Sequence, residues 1–171
     1  MRAPASEAST HPVDPKSVGS LGEVLDFMRT LWAVDHGLQA TSKHMEATLG
    51  VTGPQRLVIR MLARFPDATP GRLAKLLHTH PSTLTGVLAR LEERGLLSRR
   101  PDPLDGRRAR LRLTARGERV DATRTGTVES AVRKVVAATP KSSLASAERV
   151  LGALAAELDA VCRGPRKSSG A

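Results

Sequence analysis

Tyrosine is absent from the 171 residues, and two Phe and one Trp hold aromatics to 2%. Single-strand binders stack bases on aromatic platforms, which this chain has almost nothing to build with. A lone cysteine, Cys162, excludes an internal disulfide framework and a Cys-based zinc cluster within one chain. No apolar run approaches the ~18 residues that would span a membrane, so no membrane partner is expected. The first 20 residues have no hydrophobic segment and do not read as a secretory signal, so a reducing cytoplasm is the expected compartment. Also missing are a glycine-rich phosphate loop, a Gly-x-Ser-x-Gly elbow and a His-Glu-x-x-His pair. Acidic neighbours such as Glu92 and Glu93 face different directions on a helix. Neither an enzyme nor a cofactor is expected.

Positive charge, by contrast, is abundant. Lys+Arg number 27 against 17 Asp+Glu, a net +10. Residues 53–119 hold fifteen basic and six acidic side chains, a net +9, whereas residues 1–52 stand at −2 and 120–171 at +3. A block of one sign marks nucleic-acid contact more often than a merely solvated surface. Without aromatics, the fitting partner is duplex DNA, held through phosphates and groove edges.

Apolar spacing supplies the architecture. Residues 1–19 are rich in Ser, Ala and Pro without periodicity and read as a disordered arm, and 164–171 as a short basic tail. Ser20 and Glu23 form a capping-box pattern. Leu21, Val24, Met28, Leu31, Asp35, Leu38, Ser42, Met45 and Leu49 then recur at alternating three and four up to Gly50, a seam of coiled-coil type with Asp35 and Ser42 as its polar exceptions. Thr52 and Gln55 repeat the capping box, and Val58, Met61, Leu62 and Phe65 mark a second helix that Pro66 ends. A third opens at Thr69-Pro70. After the turn His78-Thr79-His80 a fourth starts at Pro81, carries Leu84, Val87, Leu88 and Leu91, and stops at Gly95.

The period then changes to two. Leu96–Arg100 is a strand candidate, Asp102–Gly106 a turn, and Arg108, Arg110 and Arg112 alternate with Ala109, Leu111 and Leu113. One hairpin face is apolar and the other arginine. Thr114 caps a fifth helix running through Val120, Val128, Val132 and Val135 to Pro140, and a sixth carries Leu144, Leu151, Leu154, Leu158 and Val161. The expected fold is mainly α: a winged helix-turn-helix at 51–114 between dimerisation helices at 20–50 and 115–163. The end seams cannot all be buried in one small winged domain, so a second copy should cover them. In such a unit the helix after the turn enters the major groove, with Ser82, Thr83 and Thr85 near base edges.

The stretches HPSTLTGVLARLEERGLLSRR and DPLDGRRARLRLTARG carry a resemblance. Ser82-Thr83-Leu84-Thr85 with Arg90-Leu91-Glu92, then Asp105-Gly106-Arg107 ahead of Leu113-Thr114, resemble the reading helix and wing of the MarR (multiple antibiotic resistance regulator) family, over about Ser20 to Cys162. The resemblance implies a homodimeric transcription regulator, a ligand-responsive repressor on a pseudo-palindromic operator. It also implies that Arg107 enters the minor groove, held by Asp105. Arg90, Arg99, Arg108 and Arg110 complete the expected DNA-contacting set. Gly86 stands where many relatives carry Arg. The competing class is a basic architectural DNA-binding protein without an effector.

Trp32, Asp35 and His36 cluster on the first helix, and Arg60 and Arg64 lie one turn apart on the second. The resemblance places here the junction where relatives bind small aromatic or anionic compounds. A guanidinium pair beside an aromatic wall suits such an effector; the competing reading is a Trp core anchor with Asp35 neutralised by an arginine. His36 and His44 lie about 12 Å apart along one helix and cannot share an ion, so no metal is expected. Cys162 reads as a small buried residue at the dimer seam rather than a redox switch.

Overall fold

The computed structural model describes residues 21–163. The expected arm, the basic tail and Ser20 lie outside the described residues. The elements are α1 (Glu23–Leu49), α2 (Gly53–Arg64), α3 (Pro70–Leu76), α4 (Pro81–Glu93), β1 (Leu97–Pro101), β2 (Ala109–Leu113), α5 (Ala115–Ala122), α6 (Val128–Ala138) and α7 (Lys141–Arg163). The expected mainly α winged arrangement is present, with one more helix than the sequence pattern suggested. The chain divides into two compact units, Met1–Ala40 and Thr41–Ala171.

The described part of the first unit is the start of α1. Gly22, at φ 93, precedes the helix and accepts Asp26 N–H at 3.0 Å. The helix therefore opens at Glu23, later than a cap at Ser20 would place it. Val24, Leu25, Phe27, Met28, Trp32, Val34 and Leu38 are exposed on this stretch.

In the second unit local sequence sets most boundaries. Thr52 and Gln55 close the expected capping box on α2, Thr52 N–H donating to Gln55 Oε1 at 3.0 Å. Thr69 and Thr114 cap α3 and α5. Gly95, at φ 64, ends α4 in a Schellman motif: Leu96 N–H reaches Leu91 O at 2.9 Å and Gly95 N–H reaches Glu92 O at 2.8 Å. The same motif closes α3, with Thr79 N–H on Ala74 O and His78 N–H on Lys75 O, but there the left-handed position is His78 at φ 48.

The expected continuous fifth helix is two helices, α5 and α6. Residues 123–127 break it: Gly126 is left-handed at φ 68, and Thr127, almost fully buried, forms a capping box with Ser130. The valine ladder crosses this break and hid it.

Val51, Val58, Ile59, Leu62, Leu73, Leu84, Leu88, Leu91, Leu96, Leu97 and Leu111 form one core where α2, α3, α4 and the hairpin meet. At ~25 cal/mol per Å² of apolar surface, this burial holds the winged unit together. The antiparallel hairpin pairs Leu97 with Leu113, Arg99 with Leu111 and Arg100 with Arg110. A bridge from Ala68 to Leu111 adds the α2–α3 loop to its edge. Val132, Val135 and Val136 of α6, and Val150, Leu151, Leu158 and Val161 of α7, are exposed. Cys162 is also exposed in the single chain.

Candidate nucleic-acid interface

Apolar spacing fixes which face of α4 is free. Leu84, Leu88 and Leu91 sink into the core, so Ser82, Thr83, Thr85, Gly86 and Arg90 stand exposed on the other side. His80 is the N-cap, extended at φ −62 and ψ 137. Its Nδ1 accepts Ser82 N–H at 3.4 Å and lies 2.8 Å from Ser82 Oγ. Thr85 Oγ1 donates to Pro81 O at 2.8 Å. A Cβ at Gly86 would meet nothing within 4 Å, so this surface is bare where an arginine would project.

The wing is stiffened by its carboxylates. Asp102 Oδ2 and Oδ1 accept Arg110 Nε and a terminal guanidinium nitrogen at 2.9 and 3.1 Å, and Oδ1 also accepts Leu104 N–H at 2.9 Å. Bonds from Asp102 N–H to Arg108 O and from Arg108 N–H to Asp105 O, both 2.8 Å, close the turn. The Arg110 hydrogen bond, helped by the Leu104 amide, holds the Asp102 carboxyl below the usual carboxylate range. Asp67, in the α2–α3 loop at φ 62, is likewise lowered by its hydrogen bond to Arg112, whose Nε lies 3.1 Å from Oδ1. Like charges opposed across a ladder repel. Arg100 faces Arg110, and Asp67 and Asp102 offset that cost.

The expected contact residues therefore divide. Arg90 and Arg107 are exposed, and neither side chain makes a hydrogen bond or ion pair among the described residues. Arg108 pairs with Asp105 at 3.1 Å but stays 70% exposed. Arg110 is committed to Asp102 and half-buried. Arg99 shares its strand face with Leu97 and pairs with Glu92 of α4 at 2.8 Å, tying wing to reading helix while remaining exposed. Asp105 corrects a second expectation. Its carboxylate accepts Arg107 backbone N–H at 3.1 Å and pairs with the Arg108 side chain, so it shapes the turn and does not hold the Arg107 guanidinium.

Pattern reading missed three features. Arg72 and Lys75 of α3 share a cleft of about 700 Å³ with Arg107 and Arg108, so positive charge extends from the wing onto α3. Arg72 also lies 5.7 Å from the Phe65 ring centroid. Thr114 does more than cap α5: its hydroxyl donates to Gly95 O at 2.6 Å and its N–H to Leu96 O at 3.1 Å, locking the end of α4 to the wing's far strand. Gly117 lets that joint close, since a Cβ there would sit 2.1 Å from Leu96 O.

The third is Arg56, 1% exposed. It donates to the carbonyls of Val120, Asp121 and Thr123 and pairs with Glu129 at 2.6 Å. Burial pushes the Glu129 carboxyl up, but its own backbone N–H and the Arg56 hydrogen bond outweigh that and hold it low. Arg60, expected in an effector pocket, instead pairs with Asp121 at 2.7 Å and lies 3.8 Å from Glu129. Arg64 is exposed, 6.0 Å from the Phe65 centroid. Trp32, Asp35 and His36 are exposed on the first unit, so Trp32 is not a core anchor of this chain.

Among the described residues, no helix is long and apolar enough to cross a membrane. Residues 29–108 match the model of the MarR family. The Escherichia coli O111:H- transcriptional regulator HosA is 37% identical over 82 residues, 48% of this chain and 61% of that protein. The Mycobacterium tuberculosis HTH-type transcriptional repressor Rv2887 is 32% identical over 89 residues, 52% of this chain and 64% of that one. The chain thus spans about three fifths of the length of these curated relatives. The crystal structure of a Staphylococcus aureus MepR–DNA complex has the same fold, with TM-score 0.62 and 18% identity over 77% of this chain and 97% of that one.

Proposed function

From the likeness of residues 29–108 to the MarR family, we propose that the chain is a sequence-specific, duplex-DNA-binding transcription regulator, a repressor acting as a homodimer on a pseudo-palindromic operator. One observation carries this most directly. The exposed hydroxyl face of α4 stands on the same rigid unit as a wing whose Arg107 is unpaired and exposed. A reading helix in the major groove and an arginine in the narrower minor groove is a working division of labour. The guanidinium suits the minor groove because it is planar, always charged and weakly hydrated.

Dimerisation is supported by the exposed apolar residues of α1, α6 and α7, which a second copy would cover. The proposal extends to a small aromatic or anionic effector. Of the cations expected to receive it, Arg60 is already neutralised by two carboxylates, so Arg64 is the group left. An effector acts by favouring a dimer whose reading helices are wrongly spaced. Selection of bound fragments from genomic DNA, followed by footprinting, tests the regulator. A bounded palindromic footprint with half-sites about 10 bp apart supports it, and uniform coverage would instead make this an architectural protein.

A further inference from the structure

A hydroxyl can donate or accept, so a serine or threonine at a groove ordinarily leaves base choice open. The first turn of α4 removes that ambiguity at two positions. Thr85 spends its proton on Pro81 O at 2.8 Å. Ser82 spends its proton on His80. His80 Nδ1 accepts the Ser82 backbone N–H as the helix cap, and a nitrogen in that role takes the 2.8 Å contact to Ser82 Oγ from the hydroxyl. In that arrangement the ring hydrogen sits on Nε2. Both oxygens are exposed, and what they turn outward is lone pairs.

Resting on the regulator reading, we propose that Ser82 and Thr85 act only as acceptors and recognise exocyclic amino groups in the major groove, the N6 amino group of adenine or the N4 amino group of cytosine. Phosphate oxygens, which only accept, are poor partners for either side chain. His80 is a positioning residue: its cap bond orients the Ser82 proton inward. An N-cap of aspartate or serine would not impose the same tautomeric lock, so the histidine sets polarity as well as helix start.

The test uses the full chain and its own selected operator. Thr85→Val and Ser82→Ala first identify the base pairs whose preference each side chain controls. At those pairs adenine is then replaced by nebularine, which lacks the amino group, or cytosine by zebularine, which lacks its own. We expect the parent to lose about fivefold in affinity from whichever replacement applies, the effect of one hydrogen bond, and the matching variant to lose nothing further. The 7-deazapurine at the same pair, which removes an acceptor, should leave the parent unaffected. His80→Asn keeps a capping oxygen but frees the Ser82 proton, and should make the Ser82-dependent pair tolerant of amino-group loss. Nitrogen-15 shifts should report the Nε2–H tautomer at His80. Sensitivity to the 7-deazapurine with indifference to amino-group loss would overturn the proposal, as would an Nδ1–H ring. A parent that covers DNA without a bounded footprint would overturn the regulator reading and this inference with it. A bounded footprint unaffected by Ser82→Ala and Thr85→Val would overturn this inference alone.

Discussion

Replacing Arg56 by Met keeps most of the stem's volume and removes the guanidinium, so the loss reports on polar contacts rather than on a cavity. Arg56 joins residues 64 to 73 positions away in sequence, fixing α2 to the end of α5 and the start of α6. Three carbonyls and one carboxylate lose a donor. Two of the carbonyls keep another: Val120 O still accepts Thr123 N–H at 3.2 Å, and Asp121 O still accepts from Arg124 at 2.9 Å. Thr123 O loses its 2.6 Å bond from the guanidinium. Glu129 is 29% exposed and keeps Arg60 at 3.8 Å, so water and a second cation soften its loss. An unsatisfied buried acceptor costs about 1–3 kcal/mol, and breaking a fully buried ion pair about 3–5 kcal/mol. With partial rescue at three of the four acceptors, the expected loss for Arg56→Met is about 2–4 kcal/mol. For a chain of this size that is a fall in Tm of roughly 5–12 °C. Urea unfolding followed by far-UV circular dichroism at fixed protein concentration measures it. Arg56→Lys should fall between parent and Met, since one ammonium cannot reach four acceptors in a fork. A loss below about 1 kcal/mol for Arg56→Met would refute the reasoning, because it would mean these acceptors need no arginine.

Arg107→Ala should cost at least tenfold in operator affinity, in line with the ~1–3 kcal/mol of a good groove contact; Asp105→Ala should cost less but in the same direction, since it frees the Arg107 amide and loosens the turn. Both are read by fluorescence anisotropy, and tighter binding by the Asp105 variant would remove its shaping role. Replacing Leu154 and Leu158 together by Glu should abolish dimer and DNA binding, and a variant still dimeric at micromolar concentration in sedimentation would sink the assignment of α7 to the interface. Gly117→Ala should destabilise by about 3 kcal/mol or more through strain, measured by thermal unfolding, because its Cβ would sit 2.1 Å from Leu96 O. Asp67 and Asp102 sit below the usual carboxylate range through hydrogen bonds to Arg112 and Arg110. Their contribution is whole above the unfolded-state value near pH 4 and is lost as pH falls through the lower folded values, so amide exchange in the wing should accelerate below about pH 4 before it does in the core.

What the sequence made legible was local. Caps at Thr52, Thr69 and Thr114 satisfy backbone groups within a turn, Gly95 supplies a left-handed residue at its own position, and the leucines of α4 declare their face by spacing. Each is decided by neighbours within four residues. The α5–α6 break was locally signalled too, by Gly126 and the Thr127–Ser130 pair, but Val128, Val132 and Val135 continue the apolar period across it and outweighed those signals. Arg56 and Arg60 were beyond this kind of reading. Their carboxylates stand 61 to 73 residues away, and nothing in α2 marks Arg56 as buried, since arginine is seldom fully buried unless paired. The same limit hid the acidic partners of Arg60, Asp121 and Glu129.

Ion pairs within the basic block change what it means. Of the six acidic residues in 53–119, Asp67, Glu92, Asp102 and Asp105 each hold an arginine of the hairpin or its turn: Arg112, Arg99, Arg110 and Arg108. Those four arginines are neutralised in place, and their carboxylates would repel phosphates as strongly as the arginines attract them. They stiffen the wing. Arg90, Arg100 and Arg107 carry charge free for a polyanion on the reading helix and the wing, with Arg72 and Lys75 beside the wing on α3; Arg64, Arg94, Arg116 and Arg119 lack a carboxylate partner among the described residues as well. A net +9 spread evenly would hold any duplex in any register. Gathering five of the unpaired cations around the hairpin and the two helices beside it, on a frame its own carboxylates stiffen, lets the same composition choose a register. That is the physical difference between a sequence reader and a basic coating.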